Sequence, residues 1–134
     1  MTELVDTSAL FALLDADDRN HPRARAHLQA VLGAGDALLT HEYVLVETIA
    51  LVQRRLGLGP LRSFLDDLLP LIDVAWVDEA LHLEAREALL AAGQRQVSLV
   101  DQVSFLVMRR HGIRRAFAFD ADFGAAGFDV VPSA

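Results

Sequence analysis

The stretch Leu4-Val5-Asp6-Thr7-Ser8-Ala9-Leu10 constrains this chain more than any other. A short apolar run ends in an acid, and two hydroxyl residues follow. A second apolar run, Ala9 to Leu14, is long enough for helix. This reads as strand, turn, helix, with Asp6 at the carboxyl end of the strand. In open parallel α/β sheets, ligands bind in the crevice outside the carboxyl ends of the strands. An acid there is a candidate for chemistry as well as for a helix cap.

The rest of the chain alternates in the same way. Strand 1 covers about Leu4 to Asp6 and helix 1 about Ser8 to Leu14, and Asp15 to Asn20 is a polar loop. Asn20 can cap helix 2, with Pro22 tolerated in its first turn and Gly33 and Gly35 ending it. Ala37 to Leu39 reads as strand 2. Thr40 is expected to cap helix 3, which runs to about Leu56 and stops at Gly57. Pro60 opens helix 4, ending near Pro70, and Leu71 to Val77 reads as strand 3. Asp78 caps helix 5, which ends at Gly93; Ser98 caps helix 6, which ends at Gly112. Ala116 to Phe119 is strand 4, a short helix 7 follows Asp120, and Phe128 to Val131 is strand 5. Strands alternating with helices predict one domain over residues 1–134, with three layers, α/β/α, and a five-stranded parallel sheet.

At 134 residues, 53% hydrophobic and 23% charged, the chain can bury a real core, and its composition is not that of a disordered segment. It has no cysteine, so neither a disulfide nor a thiolate metal site is possible, which suits a reducing cytoplasm. No basic n-region opens the chain and no apolar stretch reaches about 20 residues, so neither a secretory signal nor a membrane span is expected. Formal net charge is −7, and all 12 basic residues are arginine. Phosphate contacts supply most non-specific nucleic-acid affinity, so an acidic chain counts against a DNA-binding module. It does not count against a nuclease whose acids are covered by metal. The lack of lysine removes a Walker-type phosphate loop and Schiff-base chemistry.

Three further acids stand in apolar settings: Glu47, Asp101 and Asp120. Glu47 interrupts a run from Val44 to Val52, and its helical neighbours Tyr43, Val44, Ala50 and Leu51 are largely apolar. It is therefore expected to have a cation partner, a raised pKa or an open cleft, the structural alternative being an ion pair with arginine. Asp101 falls in the first turn of helix 6, where the helix dipole alone could account for an anion. Asp120 follows Phe117-Ala118-Phe119 as Asp6 follows its own strand, and either it or Asp122 could cap the next helix. In a parallel sheet all four acids point to one end. Two like charges about 4 Å apart repel by roughly 4 kcal/mol at an effective dielectric near 20. Four together call for a cation. An all-oxygen donor set favours Mg²⁺ or Mn²⁺ over Zn²⁺. Ser8 could hydrogen-bond a carboxylate at such a site. His41 is the one histidine near the rim and is read as a surface residue. The run Arg109 to Arg115 resembles an RNA-binding patch but is expected at the opposite end of the sheet from the acids.

At these residues the chain resembles a PIN-domain ribonuclease, more narrowly a VapC-type toxin, over essentially its whole length. Val5 to Leu10 resembles the family's opening motif, Val46-Glu47-Thr48 its second acid, Ser98 to Asp101 its third, and Phe119 to Phe123 its fourth. The resemblance implies a metal-dependent endoribonuclease, catalytic through Asp6, Glu47, Asp101 and Asp120, with the Mg²⁺ or Mn²⁺ assigned chiefly to Asp6 and Asp101. It implies a homodimer, an RNA substrate and inhibition by a protein antitoxin. Ala118 stands where family members usually carry a hydroxyl, so Asp122 is open to sharing the role of Asp120.

Two rivals follow. A phosphoacceptor receiver domain also clusters acids but requires a lysine, and this chain has none. A catalytically silent PIN-like interaction domain would not need all four acids. An acid cluster also attracts cations, and arginine pairs with carboxylate bidentately. The expected antitoxin contact is thus an apolar segment along helices 1 and 2, with Phe11, Leu14, Leu28 and Leu32 as candidates, and an arginine among the acids.

Overall fold

Side chains alternate across the central strand β1 (Thr2–Val5): Val5 enters one apolar cluster and Leu4 the other. The structure, a computed structural model, describes residues 1–133. Beside β1 run β2 (Ala37–His41), β3 (Asp73–Ala75), β4 (Arg115–Phe117) and β5 (Asp129–Val131). Their order is β3-β2-β1-β4-β5, and every neighbouring pair is parallel. The helices are α1 (Thr7–Leu14), α2 (His21–Ala34), α3 (Glu42–Arg55), α4 (Leu58–Ser63), α5 (Glu79–Ala92), α6 (Leu99–His111) and α7 (Asp122–Ala125). Leu10, Val44 and Phe64 pack with Val5 and Phe117 on one face of the sheet; Leu81, Val103 and Met108 pack with Leu4 and Ala116 on the other. This is the three-layer α/β/α arrangement expected. The chain moves outward from β1 to β3, then returns to lay β4 on the other side of β1. The crevice between β1 and β4 is therefore the topological switch point, where such sheets bind ligands.

Local signals decide several ends as read. The Asp78 carboxylate accepts from Leu81 N–H at 2.8 Å and starts α5. Gly112 closes α6 at φ 65°, a left-handed conformation open to glycine. Several boundaries differ, among them β3, which is shorter than the expected Leu71 to Val77, and β4, which stops at Phe117 rather than Phe119. Thr40 does not cap α3, because its hydroxyl donates to Val5 O at 2.9 Å; β2 runs on, and His41 becomes the cap. Gly33 lies inside α2, and Gly35 alone ends it, at φ 72°. The fourth helix is not continuous to Pro70. After α4 the backbone widens into a π turn over Phe64–Leu68, then tightens into a 3₁₀ turn over Leu69–Leu71. Pro70 has no N–H to continue a regular helix.

One buried acid lies outside the candidate site. Glu3 is 1% exposed on β1, with one oxygen 2.7 Å from His27 Nε2 of α2 and the other 3.9 Å from the Arg115 guanidinium. The His27 ring also meets Phe117 edge-on at 4.6 Å. Removing one partner of a buried polar pair strands the other. His27→Ala should therefore cost about 3 kcal/mol in urea unfolding, and Glu3→Met/His27→Leu should recover most of that. A His27→Ala loss below about 0.5 kcal/mol, the range of an ordinary surface change, would contradict the pairing.

Candidate metal centre

The register pairs Val5 with Phe117, so the chain segments leaving β1 and β4 emerge side by side at the carboxyl edge. Asp6 leaves β1 with an extended backbone and caps α1, its Oδ2 accepting from Ser8 N–H at 3.2 Å and from the Ser8 hydroxyl at 2.7 Å. The same hydroxyl accepts from Phe119 N–H at 2.9 Å. Ser8 thus joins the end of β1 to the segment that carries Asp120, and the hydroxyl-free Ala118 is buried. Neither Thr7 nor Ser8 replaces Asp6 as the cap. Thr7 instead accepts from the buried Thr48 hydroxyl at 3.2 Å, which seats α3 against α1.

Asp101 arrives from the other side. It sits in a capping box, its Oδ2 accepting from Ser98 N–H at 3.0 Å while Asp101 N–H donates to Ser98 Oγ at 3.1 Å. Asp120 accepts from Asp122 N–H at 2.9 Å, an Asx turn leading into α7, where Ala121 rather than either acid is the cap. Oxygens of Asp101, Asp120 and Asp122 lie within 4.8 Å of one another. That donor set is all oxygen and suits a hard divalent cation. Asp122, open on sequence grounds, belongs to the group geometrically.

Burial pushes the Asp6 carboxyl up to about 6, against the Ser8 bonds and with help from the charges of Asp101 and Asp120. Asp101 is raised by burial and then by Asp120 and Asp122, with the Ser98 bonds opposing. Partial burial and the adjacent Asp120 charge raise Asp122. The carboxylates thus sit in mutual repulsion that a bound cation would relieve.

Two residues lie differently from the sequence reading. Glu47 is exposed and makes no ion pair or hydrogen bond among the described residues. The buried side of α3 is formed by Val44, Leu45, Thr48 and Val52, and Glu47 lies roughly 115° around the helix from its centre at 100° per residue. Its neighbour Val46 is 66% exposed, so apolar letters around an acid did not mean burial. Glu47 is one residue along the chain from Thr48, whose hydroxyl donates to Thr7. His41, read as a surface residue, is fully buried. Burial lowers its pKa to about 4. Its Nδ1 accepts from Val44 N–H at 3.4 Å, leaving Nε2 to donate to Ser104 Oγ at 2.8 Å. Ser104 in turn donates to Val100 O at 3.1 Å. This neutral ring is not a metal ligand; it ties the end of β2 to the helix that carries Asp101.

At the far end of α1 from Asp6, Leu14 and Leu28 line a groove of about 350 Å³ with Leu13, Leu68 and Leu71, edged by His21, Arg25, Ser63 and Asp67. Phe11 lies beside the Arg55 guanidinium instead, and Leu32 is 45% exposed outside the groove. Arg114 and Arg115 border a cavity with Met1 and Thr2 at the amino end of the sheet, away from the acids. Arg110 pairs with Glu84. Arg109 departs from its neighbours: it borders a cavity that also contains Asp122. A helical side chain leans toward its helix N-terminus, so its reach exceeds what residue spacing suggests.

Comparison with known proteins places this arrangement. The PIN domain matches over residues 4–129. The 23S rRNA-specific endonuclease VapC20 of Mycobacterium tuberculosis is 38% identical over 125 residues, covering 92% of this chain and 93% of that protein. The crystal structure of M. tuberculosis VapC20, described as a Sarcin-Ricin loop cleaving toxin, superposes with a TM-score of 0.82 at 37% identity over 96% of each chain. VapBC2 from Rickettsia felis bound to a promoter DNA fragment, at 13% identity and a TM-score of 0.73 over 97% of each chain, shares the fold.

The raised Asp6 pKa carries a sign that can be tested. A carboxyl whose pKa is higher folded than unfolded holds its proton more tightly in the fold. Metal-free stability should therefore rise as pH falls through about 6 and be fully gained near the unfolded value of 3.8. A shift of that size is worth on the order of 3 kcal/mol. In EDTA, the melting temperature should climb between about pH 7.5 and about pH 5, and Asp6→Asn should raise the upper value and flatten the slope. A flat wild-type profile across that window would contradict the assigned burial.

Proposed function

This chain belongs to the PIN-domain family, in its VapC-type branch, and from that premise we propose that it is a divalent-metal-dependent endoribonuclease, the toxin half of a toxin–antitoxin pair. The observation that carries the reading is the convergence of Asp101, Asp120 and Asp122 within 4.8 Å at the switch point of the sheet, with Asp6 outside that set but near enough to feel the charges of Asp101 and Asp120. A catalytically silent domain would have no reason to keep carboxylates in repulsion there.

Asp6 and Asp101 would hold Mg²⁺ or Mn²⁺, with Asp120 and Asp122 completing the oxygen set. Such a metal supplies a water of lowered pKa and stabilises charge developing on the phosphoryl oxygens. Ser8 fixes the Asp6 carboxylate and Ser98 fixes that of Asp101, so neither must reorganise when substrate arrives. The family resemblance would give exposed Glu47 the orienting of water or the taking of its proton. The 23S rRNA specificity of the 38%-identical relative, a Sarcin-Ricin loop cleaving toxin, makes that ribosomal RNA loop the first RNA to test, and a cytoplasmic site of action goes with that substrate. No helix among the described residues is long and apolar enough to cross a membrane.

The protein is read as a homodimer inhibited by an antitoxin, whose apolar segment would occupy the groove at Leu14 and Leu28 and bring an arginine to the acids. Purifying the pair from co-expression and replacing the partner's arginines singly tests this. If no replacement restores cleavage or weakens binding, the inserted arginine is wrong.

Cleavage of structured RNA should require Mg²⁺ or Mn²⁺ and stop in excess EDTA; undiminished cutting there would sink the acid site. Asp101→Asn should reduce cleavage by at least about a hundredfold, in line with loss of a metal-binding group, while the Asn oxygen can still accept from Ser98 N–H. Its metal-free melting temperature should hold or rise, and a sharp fall would make Asp101 a structural cap first. Asp120→Asn should slow cleavage more than Asp122→Asn, and the reverse order would exchange their roles.

A further inference from the structure

A second cavity, of about 220 Å³, opens between α6 and α7, and the proposed chemistry does not use it. Gln102, Phe105, Arg109 and Asp122 are in its wall. Asp122 is shared with the acid cluster, so the cavity begins where the RNA backbone would be cut. Gln102 follows Asp101 on α6 and is only 7% exposed. Its amide nonetheless makes no side-chain hydrogen bond among the described residues, whereas buried Glu3, Thr40, His41, Thr48 and Ser104 all do. No sealed polar side-chain atom among those residues lacks a partner, so the Gln102 amide opens into the cavity. An amide offers two N–H donors and a carbonyl acceptor. Here they face a cleft walled on one side by Phe105. Arg109 completes the set, stacked over Phe128 at 5.6 Å and without a carboxylate partner among the described residues.

At about 220 Å³ the cleft is below the roughly 300 Å³ at which pockets for drug-sized ligands begin, which suits one planar ring system rather than a whole nucleotide. Proteins that read RNA sequence take unstacked loop bases into such pockets, with apolar contact to the ring and hydrogen bonds to its edge. A Gln amide matches the N6–N7 edge of adenine, and an Arg fork matches the O6–N7 edge of guanine. Both are purine edges.

We propose that this cleft is a nucleobase pocket that takes a purine flanking the scissile phosphate, with Gln102 reading its edge and Arg109 beside it. The proposal rests on the endoribonuclease reading and adds its sequence selectivity.

The test is a pool of RNA hairpins with fully randomised loops, cut in Mn²⁺ and sequenced at the new ends. Wild type should show purine enrichment at one position beside the cut. Gln102→Leu keeps the bulk and removes the amide, and should reduce that enrichment about tenfold, as expected for loss of one bidentate base contact. Its Mn²⁺ affinity by calorimetry should stay at the wild-type value. Ala125→Phe fills the cleft from an exposed position on α7 while leaving every α6 residue unchanged, and should give the same loss; it decides the matter if Gln102→Leu does not fold. If wild type cuts no RNA, the nuclease reading fails and this one with it. If wild type cuts and both variants keep its base preference, the pocket is refuted while the nuclease stands. Unchanged preference with an altered oligomeric state for Ala125→Phe would assign the cleft to a subunit contact and overturn the proposal.

Discussion

The Ser8 hydroxyl is the small contact on which the site depends. It gives its proton to Asp6 and takes one from Phe119 N–H, so one oxygen atom joins the ends of two parallel strands. Backbone pairing between β1 and β4 stops near Phe117, and beyond it the ladder no longer sets the spacing. Without Ser8 the segment carrying Asp120 would lack this tie to Asp6. A hydroxyl serves because it donates and accepts at once. Alanine at this position would break both contacts while changing little in volume.

Three of the acids commit one of their two oxygens to local structure. Asp6 Oδ2 holds the first turn of α1, Asp101 Oδ2 holds the first turn of α6, and Asp120 Oδ1 holds the turn into α7. None of these hydrogen bonds uses the other oxygen of the carboxylate. Capping and metal binding are thus compatible uses of one side chain. The helix N-termini also place partial positive charge near the acids. This offsets part of the repulsion that burial intensifies, and the raised carboxyls of Asp6 and Asp101 show that the offset is incomplete. The layers on either side of the sheet bury Phe64, Phe117 and Phe123 fully.

His41 and Thr48 extend the same logic outward. Each is a buried polar group with its hydrogen bonds made, and each binds one element of the rim to another: β2 to α6 through Ser104, and α3 to α1 through Thr7. Buried polar pairs of this kind contribute little net stability, but a mispaired arrangement is costly. They favour one relative placement of the helices that bear Asp6 and Asp101. Sequence patterns for apolar periodicity do not register them.

By itself the sequence determined the alternation of strand and helix, the caps at Asp78 and Ser98, the stop at Gly112, and the identity of the acids leaving β1 and β4. Those features are set by residues a few positions apart, whose backbone preferences and local hydrogen bonds act before any distant contact forms. Only the tertiary structure decided that Glu47 is exposed, that His41 is buried and neutral, that Asp122 joins Asp101 and Asp120, and that the Gln102 amide opens into a cleft. Each of these depends on which distant element covers a given helix face. Val46 and Glu47 stay open because the neighbours of α3 cover its Val44–Val52 side, and His41 is enclosed because α6 crosses the end of β2. Periodicity says that a helix has a face to bury; the packing of layers settles which side chains that burial reaches.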